Sequence, residues 1–130
     1  MAINLNLGLL ILRIGIGTMF MLHGAPKLMG GPEQWEKVGQ SMANLGIDFL
    51  PAFWGFMAGF AEFVGGLCLV LGIFWVPACF LLILTMIVAA IMHISQGDGF
   101  VRYSHAVESA ILFISLIFIG AGQYRLSRRF

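Results

Sequence analysis

The sequence predicts an all-α, polytopic membrane protein, an antiparallel bundle of four transmembrane helices with a short interfacial helix in the first loop. Two observations carry this. Hydrophobic residues make up 60% of the chain and charged residues only 10%, too few to cover the surface of a soluble domain of 130 residues. The apolar residues also gather into four runs, at roughly 5–25, 52–75, 76–95 and 106–123. Each run is near the length of about 20 residues that a helix needs to cross a hydrocarbon core about 30 Å thick. One transmembrane domain then accounts for residues 1–130.

The first run opens with MAINLNLG, which has neither a basic leader nor an A-x-A-type cleavage site, so it is expected to be a retained span. It carries an anomaly. LLILRIGIGTMFMLHGAPK is apolar from Leu9 to Leu22 except for Arg13, and His23 and Lys27 close it. In the long connection that follows, Trp35, Val38, Met42 and Leu45 recur at helical spacing after Pro32, with Glu36, Lys37, Gln40 and Asn44 elsewhere. That pattern suggests a short amphipathic helix lying in the membrane interface, the alternative being an ordinary surface loop. Only FWVP separates the second and third runs. Trp75 suits an interface there and Pro77 the first turn of a new helix, which makes a tight antiparallel hairpin. SQGDGFVRYS, rich in turn formers, leads into the fourth run. Four spans put both termini on one side. The tail carries Arg125, Arg128 and Arg129 together, whereas the other face has Lys27, Lys37 and Arg102, and positive-inside reasoning favours cytoplasmic termini in a plasma membrane, the inner membrane of a bacterium.

An arginine inside a span costs roughly 2.5–3.5 kcal/mol unless it is paired. Counting at 1.5 Å per residue brings Glu62 of the second run to about the depth of Arg13, so a buried Arg13–Glu62 ion pair is predicted, direct or through one polar bridge. Gly55, Gly59, Glu62 and Gly66 fall on one helix face, and Arg13, Gly17, Phe20 and Gly24 on another. Small residues let two backbones approach, so both charges are expected in a packed seam. Such a pair can equally do no more than lock the two helices together.

The other ionisable groups collect on the opposite side: His23 and Lys27 after the first run, His93 at the end of the third, and His105 and Glu108 at the start of the fourth. His105 and Glu108 are three residues apart and share a helix face. These residues form the candidate ligand or proton site. Imidazoles titrating near neutral pH suit proton exchange with a quinone head group. Three histidines and a carboxylate are also metal-ligand types, but no dense motif joins them and no metal site is assigned. Hydrogen bonding to water and lipid is the third reading. Cys68 and Cys79 lie in apolar runs and read as small buried hydrophobes. A net charge of +1 without a basic cluster argues against nucleic acid, and there is no P-loop, dinucleotide fingerprint, C-x-x-C or covalent haem motif.

The order of these pieces resembles the DoxX family of small four-helix membrane proteins. The pieces are LRIGIGTMFMLHGAPKL with Arg13, Gly17, His23-Gly24 and Lys27; LGI at Leu45; AEFVGGLCLVLG with Glu62, Gly65, Gly66 and Gly72; then Glu108; and finally GAGQYRLS. Family members often close with serine-leucine-aspartate where this chain has Arg125-Leu126-Ser127, so the family's terminal acid is missing here. The resemblance implies the four-helix fold. It also implies association with quinone-linked or thiol and oxidative-stress redox chemistry, because the family is named after subunits associated with a thiosulfate:quinone oxidoreductase. More distant likeness to the Surfeit-locus cargo receptors implies a non-enzymatic, client-binding alternative.

Taken together, the expected function is that of an integral membrane subunit with no built-in cofactor. A quinone would bind in the lipid bilayer, and a redox partner protein would supply the electrons. A client-binding membrane factor is the second reading and a small proton-coupled transporter the third. Small multidrug exporters carry their working carboxylate on the first helix, where this chain has Arg13. A homodimer is compatible with all three, since four helices of this size shield a polar interior poorly.

Overall fold

The computed structural model describes residues 3–126. Ser127, Arg128 and Arg129, which carry the missing-acid observation and part of the orientation argument, lie outside the described residues. All regular structure among the described residues is helical: α1 (Leu5–Met29), α2 (Gly31–Gly39), a 3-10 helix (Gln40–Leu45), α3 (Pro51–Leu71), α4 (Trp75–Ser95) and α5 (Phe100–Ile119). Four of them, α1, α3, α4 and α5, are long and apolar enough to cross a membrane.

Each element begins or ends for a local reason. Asn4 caps α1, its side-chain oxygen accepting from Leu7 N at 3.0 Å. The helix continues past Pro26 to Met29, four residues beyond the expected end, because a proline in the last turn forfeits only one late hydrogen bond. Gly72 ends α3 in the left-handed region at φ 70, its N–H reaching Cys68 O at 2.8 Å. A side chain there is doubly excluded, since a Cβ would also sit 2.6 Å from Arg13 Nη2. α5 starts at Phe100, six residues earlier than expected, so His105 and Glu108 stand one to two turns inside a span rather than at its beginning.

The expected amphipathic segment does form, but in two pieces, and it does not lie free in the interface. α2 docks across α3, and the 3-10 helix reaches α4. Gly39 packs against Pro51 O, and Gly55 against the backbone of Trp35. The glycine stripe of α3 therefore divides. Gly59 and Gly66 face α1, where Gly24 and Gly17 receive them, whereas Gly55 serves α2. A Cβ on Gly24 would lie 2.5 Å from Phe63 N, and one on Gly17 2.6 Å from Gly66 O, so α1 and α3 touch backbone to backbone.

α3 thus packs on α1, α2 and α4, while α5 packs on α4. Among the described residues, the backbones of α1 and α5 stand apart. Side chains close that seam, with Phe20 and Phe113 edge to face at 5.0 Å. Leu69, Cys79, Leu82, Phe113 and Leu116 are buried in the common core. Trp75 joins them. Rather than standing in the interface it is buried, and its indole N–H donates to Leu116 O at 2.8 Å.

The predicted Arg13–Glu62 pair is replaced by two separate arrangements. Arg13 donates to Leu69 O (3.0 Å) and Val70 O (3.0 Å) in the last turn of α3. It also donates to Ala121 O (3.1 Å) and Tyr124 O (2.6 Å) in the segment after α5. The helix register explains the difference. Gly17 opposite Gly66 and Gly24 opposite Gly59 put Glu62 level with Met21, eight residues or about 12 Å from Arg13. The orphan carbonyls at the C-terminus of α3 carry partial negative charge and need donors, so they hold the guanidinium without a carboxylate. Around them the chain folds back, with Leu126 N on Leu71 O at 3.0 Å and Gln123 N on Asn6 Oδ1 at 3.0 Å.

Replacing Arg13 with Leu takes a donor from four carbonyls, of which, among the described residues, Leu69 O alone keeps another, from Gly72 N, and loosens the segment after α5. We expect a loss of about 3 kcal/mol or more in detergent unfolding, with Lys recovering only part because it lacks the planar fork. Gly24→Ala should cost about 1–3 kcal/mol by prising α1 from α3. Wild-type unfolding midpoints in both variants would contradict this packing.

Candidate functional site

α3 and α4 are held close at one end by the short turn after Gly72, and midway Gly65 lets Leu82 approach to 3.0 Å of where a Cβ would be. Toward the other end they leave a cavity of about 910 Å³, covered by the end of α2 and the 3-10 helix. Its walls are mostly apolar: Phe53, Trp54, Met57, Ala58 and Ala61 from α3, and Leu81, Leu84, Val88, Ala89 and Met92 from α4. Gln40, Ser41, Asn44 and Gln96 add polar groups. Met57 and Met92 supply deformable walls.

An ion pair borders this cavity. Lys27 Nζ meets Glu62 Oε1 at 2.7 Å. The lysine side chain is 31% exposed, the glutamate side chain only 4%. Lys27 lines the cavity because α1 runs on past Pro26, and Glu62 because it lies one turn from Ala58 on α3. Glu62 Oε2 is buried with no hydrogen-bond partner among the described residues. Leaving such an acceptor unsatisfied costs about 1–3 kcal/mol, more for a charged group, so the position asks for a donor. Lys27 has two N–H groups beyond the one given to Glu62. An acceptor that lacks a donor and a cation with donors to spare therefore stand side by side at the edge of an apolar space. That arrangement suits a molecule with a hydrogen-bonding head and an apolar body.

The predicted ligand cluster is only partly assembled. His23 and His105 lie across the α1–α5 seam with ring centroids 6.2 Å apart, and both are exposed. Glu108 is exposed one turn along α5 from His105. His93 bonds Asp98 of the α4–α5 turn instead, Nδ1 to Oδ2 at 2.8 Å. Lys27 belongs with Glu62, not with the histidines. Among the described residues no three His, Cys, Asp or Glu side chains converge on a metal position. Sequence reasoning missed the Lys27–Glu62 pair because it ended the first helix before Pro26. The available signal was the sum of positions at which glycines face glycines, which places Glu62 nearer the Lys27 end than the Arg13 end.

Comparison with known proteins adds a family. The DoxX family model matches residues 8–94, which include Arg13, His23, Lys27, Glu62 and His93. The chain is also 32% identical over 127 residues to an uncharacterized protein of Haemophilus influenzae, with 92% of this chain and 87% of that protein covered. No solved structure matches the chain.

The two partners of the ion pair should respond unequally to substitution. Lys27→Met leaves a buried carboxylate alone and should cost about 3 kcal/mol. Glu62→Gln keeps a hydrogen-bond acceptor beside a lysine that can reach water, and should cost about 1 kcal/mol. Chemical unfolding of both variants in the same detergent checks the order, and a reversed order would mean that Lys27 is not the partner of Glu62.

Proposed function

The chain belongs to the DoxX family, and from that premise we propose that it is a redox-linked membrane subunit that binds a quinone-class molecule in the α3–α4 cavity. The family is one of small membrane proteins often linked to redox or oxidative-stress functions. The single observation that carries the reading for this chain is Glu62 Oε2, buried and unpartnered, beside Lys27 at an apolar cavity of about 910 Å³.

The residues fit such a head group in both of its oxidation states. A spare Lys27 N–H donates to a quinone carbonyl oxygen, and Glu62 Oε2 accepts from a quinol hydroxyl. The apolar walls from Met57 to Ala61 and from Leu84 to Met92 receive the ring and the tail while excluding water, which strengthens both polar contacts. When bound, a quinone supplies two-electron, two-proton redox capacity. Cys68 and Cys79 are both buried free thiols, so the reading assigns electron supply to a partner protein. It also takes the arginine-bearing end of the bundle as cytoplasmic in a bacterial plasma membrane, which sets the cavity in the outer half of the bilayer.

Trp54 lines the cavity and reports on it. Titrating the protein in lipid nanodiscs with a short-tailed benzoquinone should give saturable quenching of tryptophan fluorescence. Glu62→Gln should weaken binding of the reduced form by about 10- to 100-fold, the equivalent of one hydrogen bond to a charged group. Ala58→Phe should abolish binding of both forms by filling the cavity. Affinity unchanged by both substitutions sinks the assignment, and loss in Glu108→Gln alone would move the site to the α1–α5 seam.

A further inference from the structure

A titratable group on the lipid side of a spanning helix is unfavourable, and beyond its first turn α5 carries two. His105 and Glu108 are exposed, and Glu108 is the ninth residue of a 20-residue span, about 12 Å from its start. Across the α1–α5 seam His23 is exposed as well, its ring 6.2 Å from that of His105. No hydrogen bond or ion pair within the described chain covers Glu108, and its neighbour one turn on, Ile111, is 59% exposed. A carboxylate and two imidazoles thus meet the hydrocarbon unless something of matching chemistry lies over them.

We infer that a second copy of the chain covers this face, so that the protein pairs through α1 and α5 about an axis along the bilayer normal. Two features select a second copy. In a membrane, such a two-fold axis brings each residue to its own depth on the other copy. A base and an acid three residues apart on one helix differ in depth by only about 4.5 Å, so this face is complementary to itself, and His105 of each copy can reach the carboxylate of the other. Independently, Gly8 and Gly15 stand seven residues apart on the lipid side of α1 with nothing within 4 Å of a built Cβ. They leave room there for the close approach of another helix. The pairing lies away from the α3–α4 cavity and does not depend on what that cavity binds.

Counting copies by single-molecule photobleaching during dilution in lipid bilayers tests this directly. Pairs are expected, with Glu108→Ala weakening association by at least about tenfold and His105→Ala acting in the same direction. In parallel, Ile111→Cys should form an intermolecular disulfide on mild oxidation. Phe80→Cys, equally exposed at 55% on α4, should not, and Cys68 and Cys79 are buried in both variants. Single copies at every dilution, equal cross-linking at both positions, or pairing indifferent to Glu108→Ala and His105→Ala would each overturn the inference. Thermal unfolding of the variants separates lost pairing from lost folding.

Discussion

The guanidinium of Arg13 ties together three parts of the chain that are far apart in sequence: α1 itself, the last turn of α3, and the segment that follows α5. A cation this deep in a span survives because its partners are main-chain carbonyls, two of them in the last turn of α3, where partial negative charge is already present. Each bond therefore meets two needs, that of the buried cation and that of the orphan acceptor. Gly72 belongs to the same arrangement, since a side chain there would occupy the space of the guanidinium. Closing this end of the bundle also fixes how α1 slides along α3.

That register decides what happens at the other end. With Arg13 engaged by backbone, Glu62 is left for Lys27, about 21 Å further along α1 than Arg13. The tight α3–α4 turn and the Arg13 bonds close one end of the molecule. The other end is held open by α2 and the 3-10 helix, which spread across α3 and α4 and cover the cavity. The bundle is therefore asymmetric along its axis, structural at one end and chemically available at the other. The close glycine contacts between α1 and α3 give the ion pair a rigid backing, which a binding site needs if its polar groups are to be aimed in advance.

The two groups of ionisable residues differ in kind. Glu62 is buried, half satisfied and beside the α3–α4 cavity. Glu108 and the histidines of the α1–α5 seam are exposed on the outside of the bundle. Burial, rather than residue type, separates the two groups. Depth along the four runs places Lys27, His23, His93, His105 and Glu108 in one cluster, and tertiary structure divides it.

Much was legible in the sequence. Four apolar runs of spanning length, the hairpin at FWVP, the helical pattern around Trp35 and the small-residue seam of Gly17, Gly24, Gly59 and Gly66 all follow from periodicity, which local side-chain chemistry sets. What stayed hidden was pairing. Arg13 is held by main-chain oxygens, and since every residue has one, no residue type marks the acceptor. Glu62 found Lys27 because α1 outlasts its proline and slides against α3, a register set by glycine contacts spread over the whole helix pair. The cavity depends on how α2 lies across two other helices. The sequence by itself determined which segments cross the membrane and which faces they bury. Only the tertiary structure decided which charge meets which partner, because that depends on a few ångströms of sliding between helices that hydrophobic patterning leaves free.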